Sequence, residues 1–264
     1  MTAPLLVVGG GRMGEALVAG LLAGGWGGPA DVVVVEKSES RRSVLAQRFE
    51  GLAVRAEPLA ADGAVIAVKP GDAEAACREV AQAGVARVLS IAAGVRLTRL
   101  EAWLGPGTPV VRAMPNTPAL VGEGASALAA GGAASDLDLE WAQSVLGTVG
   151  TVVRLPEDQL DAVTGLSGSG PAYVFLMAEA LIDAGVSNGL AREVSSSLVV
   201  QTLLCSARLL AESGQGPEAL RAGVTSPGGT TAAGLGALEA RAVRAAFLEA
   251  VQAATERSRR LASS

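Results

Sequence analysis

Gly9, Gly11 and Gly14 follow the apolar run Leu5–Val8 and open the Ala- and Leu-rich stretch Met13–Leu22, a Gly-x-Gly-x-x-Gly spacing between a predicted strand and a predicted helix. Glycines there permit a tight turn and let backbone N–H groups and the helix N-terminus approach a pyrophosphate. A second apolar run, Val32–Val35, ends at Glu36, which lies 22 positions beyond Gly14. A carboxylate at that point accepts a hydrogen bond from a ribose 2′-hydroxyl and repels a 2′-phosphate. Dinucleotide binding follows, but the neighbouring Lys37, Ser38, Arg41 and Arg42 are suited to cradle a 2′-phosphate, so NAD(H) and NADP(H) both stay open. Far downstream, Ser226-Pro227-Gly228-Gly229-Thr230-Thr231 places a Gly-Gly turn before a helix. Such a turn exposes several N–H donors beside hydroxyls, which makes a cradle for a carboxylate.

Other chemistry is excluded by what the chain lacks. Its 264 residues contain no His, which removes the commonest general acid/base and the commonest transition-metal ligand, so no protein metal site is expected. Cys77 and Cys205 are far apart in apolar helix-like runs and have no CxxC partner, as expected of free thiols in a reducing compartment. The net charge of −5 is mild, and the Arg residues are scattered, so nucleic acid is a poor partner. No run approaches the roughly 18 uninterrupted apolar residues of a membrane helix. The Leu5 to Ala23 region is broken by Gly9, Gly11, Arg12, Gly14 and Glu15 and lacks a basic leader, which argues against a signal peptide. A cytoplasmic location is the expectation.

The elements that must position these residues fall into two textures. Up to about residue 155, short β-branched runs at Leu5–Val8, Val32–Val35, Val65–Val68, Val88–Ala92 and Val110–Arg112, with Thr151–Val153 closing the set, alternate with helical stretches at Met13–Leu22, Glu39–Arg48, Ala73–Gln82 and Leu97–Trp103. That alternation predicts an α/β fold, a Rossmann-type doubly wound parallel sheet with ligands outside the carboxyl ends of its strands. From Pro156 the chain turns to long Ala- and Leu-rich segments at Ala172–Ala184, Arg192–Glu212 and Ala242–Arg260, an all-helical half. Two domains are therefore expected, residues 1–155 and 156–264. In the first of the long segments Val174, Phe175, Leu176, Met177, Leu181 and Ile182 surround much of the helix, and Arg192–Glu212 carries a similar excess of Leu and Val. One small domain cannot easily bury both, which points to a helical subunit interface and a homodimer.

Further turns stand at the ends of the predicted strands. Val68-Lys69-Pro70 follows the third, Ala92-Ala93-Gly94 the fourth, and Met114-Pro115-Asn116-Thr117-Pro118 the fifth; in the last, two prolines fix an extended turn, and Asn116 offers both donor and acceptor. Leu166-Ser167-Gly168-Ser169-Gly170-Pro171-Ala172-Tyr173 opens the first long helix, with Pro171 in its first turn and Ser169 or Gly170 as cap. In this order, together with Gly9-Gly10-Gly11-Arg12-Met13-Gly14 and the segment Val224–Glu239, these phrases resemble the pyrroline-5-carboxylate reductases over essentially the whole chain.

That resemblance implies NAD(P)H-dependent reduction of the cyclic imine 1-pyrroline-5-carboxylate to L-proline, the last step of proline biosynthesis. By resemblance the cofactor is held by Gly9, Gly11, Arg12, Met13, Gly14, Glu36, Lys37 and Ser38 on one side, and by Val68, Lys69, Pro70, Ala92, Ala93, Gly94 and Asn116 around the nicotinamide half. It also implies that Ser226, Gly229, Thr230 and Thr231 bind the substrate carboxylate, that the Thr231 hydroxyl serves the ring nitrogen, and that the chain forms a homodimer or a higher oligomer of dimers. Glu36 departs from the Ser or Thr common in the family's second turn, which puts strict NADP preference in doubt. A β-hydroxyacid dehydrogenase would share the architecture, but its catalytic Lys lies in the second half, and the only lysines here are Lys37 and Lys69. A non-enzymatic nucleotide binder remains the other alternative, although such a protein has no need of an intact Ser226–Thr231 turn.

Overall fold

A computed structural model describes residues 5–263. Eight strands make one sheet: β1 (Leu5–Val8), β2 (Val32–Val35), β3 (Ala53–Arg55), β4 (Gly63–Ile66), β5 (Val88–Ser90), β6 (Val110–Met114), β7 (Gly124–Ala130) and β8 (Gly150–Arg154). Their order is β3-β2-β1-β4-β5-β6-β7-β8. The first six are parallel, in the strand order of the dinucleotide-binding fold, with the order reversing between β1 and β4. β7 runs antiparallel to β6, and β8 follows β7 in parallel.

Burial explains why runs such as Leu-Leu-Val-Val in β1 and four valines in β2 form central strands: every residue in them is buried, and alternate side chains feed opposite faces. Leu6, Val8, Val33, Val35 and Ile66 pack with Cys77, Val80 and Leu100 of α3 (Ala73–Gln82) and α4 (Leu97–Leu104). Leu5, Val7, Val32, Val34 and Val65 pack on the other face with Leu17 and Leu21 of α1 (Arg12–Ala23), Leu45 of α2 (Glu39–Arg48) and Trp141 and Leu146 of α5 (Asp136–Gly147). Burial among these apolar neighbours pushes the Cys77 thiol up to about 12, so it stays neutral and unreactive.

Beyond β8 come α6 (Leu160–Val163), one π-helical turn over Thr164–Gly168, α7 (Gly170–Ser187), α8 (Arg192–Glu212), α9 (Pro217–Gly223), α10 (Thr230–Ala240) and α11 (Val243–Ser263). α7 and α8 approach closely: a methyl group at Gly185 would overlap the Ser195 hydroxyl, which donates to the Ile182 carbonyl at 2.9 Å.

The compact units divide elsewhere than the change of texture at residue 156. One runs up to Ser169 and resumes at Gln252, and the other is Gly170–Val251. Polar ties account for the difference. The Asp161 carboxylate accepts from Arg96 Nη2 at 2.9 Å and from Ser258 Oγ at 2.7 Å, so the end of α11 is fastened to the sheet unit. Glu157 Oε1 accepts from the buried Arg112 at 2.8 Å and from the Leu97 N–H at 2.7 Å.

Several element bounds shift from those expected. The third expected strand, Val65–Val68, begins earlier and ends at Ile66, leaving Ala67, Val68 and Lys69 in the turn. Val88–Ala92 stops at Ser90, whereas Val110–Arg112 extends to Met114 and Thr151–Val153 to Gly150–Arg154. Two strands and one helix carry no strong sequence pattern. β7 is Gly-Ala-Ser-Ala-Leu-Ala-Ala, without a β-branched run, and its pairing with β6 and β8 makes it a strand. β3 is a three-residue edge. The start of α5 did leave a signal, because Ser135 and Asp138 form a capping box, with the Ser135 N–H and hydroxyl donating to Asp138 Oδ2 at 2.9 and 2.6 Å.

The β7–β8 pair depends on backbone proximity. Gly150, at φ +146°, faces Gly124 in register, and a Cβ there would overlap the Gly124 carbonyl oxygen. Gly150→Ala is therefore expected to cost more than about 2 kcal/mol of stability, measured by urea unfolding; an unchanged midpoint would show that β8 peels away at little cost.

Candidate functional site

The glycine turn forms where β1 meets α1. The Gly9 N–H donates to the Val35 carbonyl at 2.8 Å, and Gly9 itself has φ +103°. A Cβ on Gly14 would overlap the Gly9 carbonyl oxygen, so that position takes no side chain. Gly11 differs: it is the N-cap of α1, it is exposed, and a Cβ there would meet nothing within 4 Å. The first turn of α1 thus presents its backbone amides to open space.

A cleft of about 490 Å³ lies over the carboxyl ends of β1, β2 and β4, and it brings together Gly9, Gly11, Glu36, Lys37, Ser38, Val68 and Lys69. Four residues that the sequence did not single out complete its wall: Asp72, Ala75, Ala76 and Glu79. Their spacing along α3 is one helical face, the signal that could have found them. Glu79 accepts from Lys37 Nζ at 2.6 Å across the cleft mouth.

Glu36 is fixed twice by backbone donors. Its Oε2 accepts from the Gly10 N–H at 2.9 Å and its Oε1 from the Ser38 N–H at 2.8 Å. The basic residues expected to receive a 2′-phosphate are already committed. Arg41 donates through Nε to the Gly10 carbonyl at 2.6 Å and pairs with Glu15, which Arg48 also engages. Arg42 donates to the carbonyls of Glu36 and Lys37, at 3.0 and 2.7 Å. The Glu36 carboxylate thus lines the cleft, while Arg41 and Arg42 are engaged by Glu15 and by backbone carbonyls.

Of the remaining expected cofactor residues, Arg12 and Met13 lie in the first turn of α1, with Met13 packed against the core. Ala92 is buried, while Pro70, Ala93 and Gly94 line a second cavity. Asn116 is used within the protein. Its Nδ2 donates to the Ser167 carbonyl at 3.0 Å, and its Oδ1 accepts from the Ala125 N–H at 2.8 Å, tying the π-helical turn to the start of β7. Both halves of that amide hold neighbouring backbone.

In the helical unit, Ser226–Gly229 forms a turn closed by the Gly229 N–H donating to the Ser226 carbonyl at 3.0 Å, with Gly228 at φ +70°. Gly229 is the N-cap of α10, which makes Thr230 and Thr231 its first two residues and leaves Thr230 no capping role. Ser226, Thr230 and Thr231 are all exposed. A side chain on Gly229 would collide with the Ser226 hydroxyl. The turn thus combines three hydroxyls with the unpaired amides of a helix start, a fit for a carboxylate.

Comparison with known proteins bears on both sites. Residues 5–94 match the family model described as NADP oxidoreductase coenzyme F420-dependent, and residues 157–261 match the one described as pyrroline-5-carboxylate reductase dimerisation. A pyrroline-5-carboxylate reductase of Mycobacterium tuberculosis is 42% identical, over 98% of this chain and 97% of its own. One of Arabidopsis thaliana is 40% identical over 97% and 95%. Among solved structures, a pyrroline-5-carboxylate reductase from Coxiella burnetii matches with a TM-score of 0.93 at 36% identity, covering 99% of both chains. The pyrroline carboxylate reductase of Plasmodium falciparum, solved with NADP bound, matches at 0.84 and 31%, covering 98% of both.

Two expected outcomes test the cleft. Gly11→Val has room in the fold and should melt like the parent protein, yet lose nucleotide binding in a calorimetric titration; retained binding would remove the pyrophosphate from this turn. Glu36→Ser should improve NADP+ binding relative to NAD+ by about tenfold or more, because it relieves like-charge contact. A parent protein that already binds NADP+ far better than NAD+ would show that Glu36 does not face the ribose.

Proposed function

The chain belongs to the pyrroline-5-carboxylate reductases, and we propose how its own residues divide the work of that reaction. It is a nicotinamide-dependent oxidoreductase that reduces 1-pyrroline-5-carboxylate to L-proline. The observation that carries this reading is similarity over the full length, with the Ser226–Thr231 turn and the Gly9–Gly14 turn both intact.

The residues present fit a dinucleotide. Gly11 leaves open the space that a pyrophosphate would take, and Glu36 stands where a ribose hydroxyl would meet it. Bound there, the reduced cofactor would supply the hydride to the imine carbon of the pyrroline ring, the atom that becomes Cδ of proline. The protein's part is orientation. In our reading the amides at the start of α10, with Ser226, Gly229 and Thr230, hold the substrate carboxylate, and Thr231 Oγ1 offers a hydrogen bond at the ring nitrogen. No His is available, and none is needed: an imine nitrogen is basic enough to be protonated before or during attack, so a positioned hydroxyl and fixed dipoles suffice. We assign the cofactor to the first 155 residues and substrate binding and dimerisation to residues 156–264.

The helical unit supports the dimer. None of α7 is buried; Phe175 and Leu176 are 62% and 67% exposed, and Leu198 and Leu204 of α8 are similarly open. Within a single chain α7 stays unburied, as expected of a helix that one small domain cannot easily bury. α8 is long and apolar enough to cross a membrane by length and composition, yet it lies inside the region matching the dimerisation model. We read this surface as a subunit interface, joining dimers into any larger assembly elsewhere, with the Ser226–Thr231 turn completing a site on the partner's nucleotide domain. The free thiols of Cys77 and Cys205 fit a cytoplasmic enzyme.

Initial rates of NADH and NADPH oxidation with 1-pyrroline-5-carboxylate test the activity directly; no turnover with either cofactor would refute it. Thr231→Ala should lower kcat/KM about ten- to a hundred-fold, the worth of one hydrogen bond to a charging atom, with cofactor affinity unchanged. Parent-like turnover would assign the nitrogen contact to water. Light scattering at micromolar concentration should give at least a dimer; a fully active monomer would exclude the shared site.

A further inference from the structure

A second cavity, of about 440 Å³, sits beside the start of α4 in the sheet unit and is roofed by the end of α11. Its wall is made by two helical faces. Arg99 and Trp103 are one turn apart on α4, and Arg257 and Leu261 are one turn apart on α11. Among the described residues, neither the Arg99 nor the Arg257 guanidinium has an ion-pair or hydrogen-bond partner, and no Asp or Glu lines the cavity. The carboxylates nearest in the fold are answered already, Asp161 by Arg96 and Glu157 by Arg112. Two uncompensated cations thus face one apolar hollow, with an indole and a leucine on its sides.

We propose that this cavity binds a small organic anion with an apolar body, an aryl or alkyl carboxylate, through Arg99 and Arg257. A guanidinium pairs a carboxylate with two parallel hydrogen bonds, and an indole face takes a flat ring. The lining offers no acid for an ammonium group, so an amino acid zwitterion is disfavoured against a simple anion. The volume falls within the range of small-molecule sites. The cavity shares Pro70, Ala93 and Gly94 with the turns expected around nicotinamide, whereas both arginines and Trp103 lie outside every residue assigned to cofactor or substrate.

Benzoate is the probe, read by tryptophan fluorescence of the intact protein, with Trp103→Phe separating the Trp103 signal from that of Trp26 and Trp141. Benzoate should give a saturable change that L-proline does not displace, and uncharged benzamide should give none. Arg99→Gln and Arg257→Gln should each weaken benzoate binding, and the double variant by about tenfold or more, while both single variants still reduce 1-pyrroline-5-carboxylate. Displacement by proline would place benzoate in the substrate site and overturn the proposal. Parent-like affinity in the double variant, or no saturation at millimolar benzoate, would overturn it equally. Binding is read without turnover, so this outcome is separate from that of the reductase assay.

Discussion

Gly14 lies so close beneath the Gly9 carbonyl that no side chain fits between them, and the rest of the nucleotide cleft depends on that approach. It leaves the first turn of α1 with its backbone amides toward open space, a geometry suited to phosphates. Glu36 then braces the turn from β2 by accepting from Gly10, and Arg41 braces it from α2 by donating to the Gly10 carbonyl. Gly10 is held through both its N–H and its carbonyl. The Glu36 carboxylate is therefore part of the scaffold of the turn.

A chain without His has oriented backbone dipoles to use instead, and the N-termini of α1 and α10 are two of them. Such donors do not titrate, so they act alike across the range in which an imine gains or loses its proton. Asn116 shows how the scaffold is kept rigid nearby, since its amide spends donor and acceptor on Ser167 and Ala125 and joins β7 to the π-helical turn before α7. π-turns concentrate at functional places in helices, and this one leads directly into the helical unit.

That helical unit cannot be understood from one copy. Its helices expose Phe175, Leu176, Leu204, Phe247 and Leu248, a contiguous sequence excess of apolar side chains that an isolated chain leaves in water. A surface of this kind marks an interaction site. Association then contributes stability that the single helical unit lacks, and folding and assembly become linked.

The sequence by itself determined the elements whose residues answer to purely local rules. The strands Leu5–Val8 and Val32–Val35 and the helices Glu39–Arg48, Ala73–Gln82 and Arg192–Glu212 were legible to the residue, because continuous β-branched runs or helical periodicity admit one reading. The glycine turn before α1 and the Gly-Gly turn before α10 were legible as helix starts, since close backbone approach and an N-cap demand those residue types. What only the tertiary structure decided rests on partners distant in the chain. β7 has no β-branched run and is a strand because β6 and β8 pair with it; the end of α11 joins the sheet unit because Ser258 reaches Asp161; and the Asn116 amide ties the backbone of Ser167 to that of Ala125. The commitment of Arg41 and Arg42 is of the same kind: their charge is visible in sequence, but whether it is free to meet a phosphate depends on Glu15 and on carbonyls that only folding brings within reach.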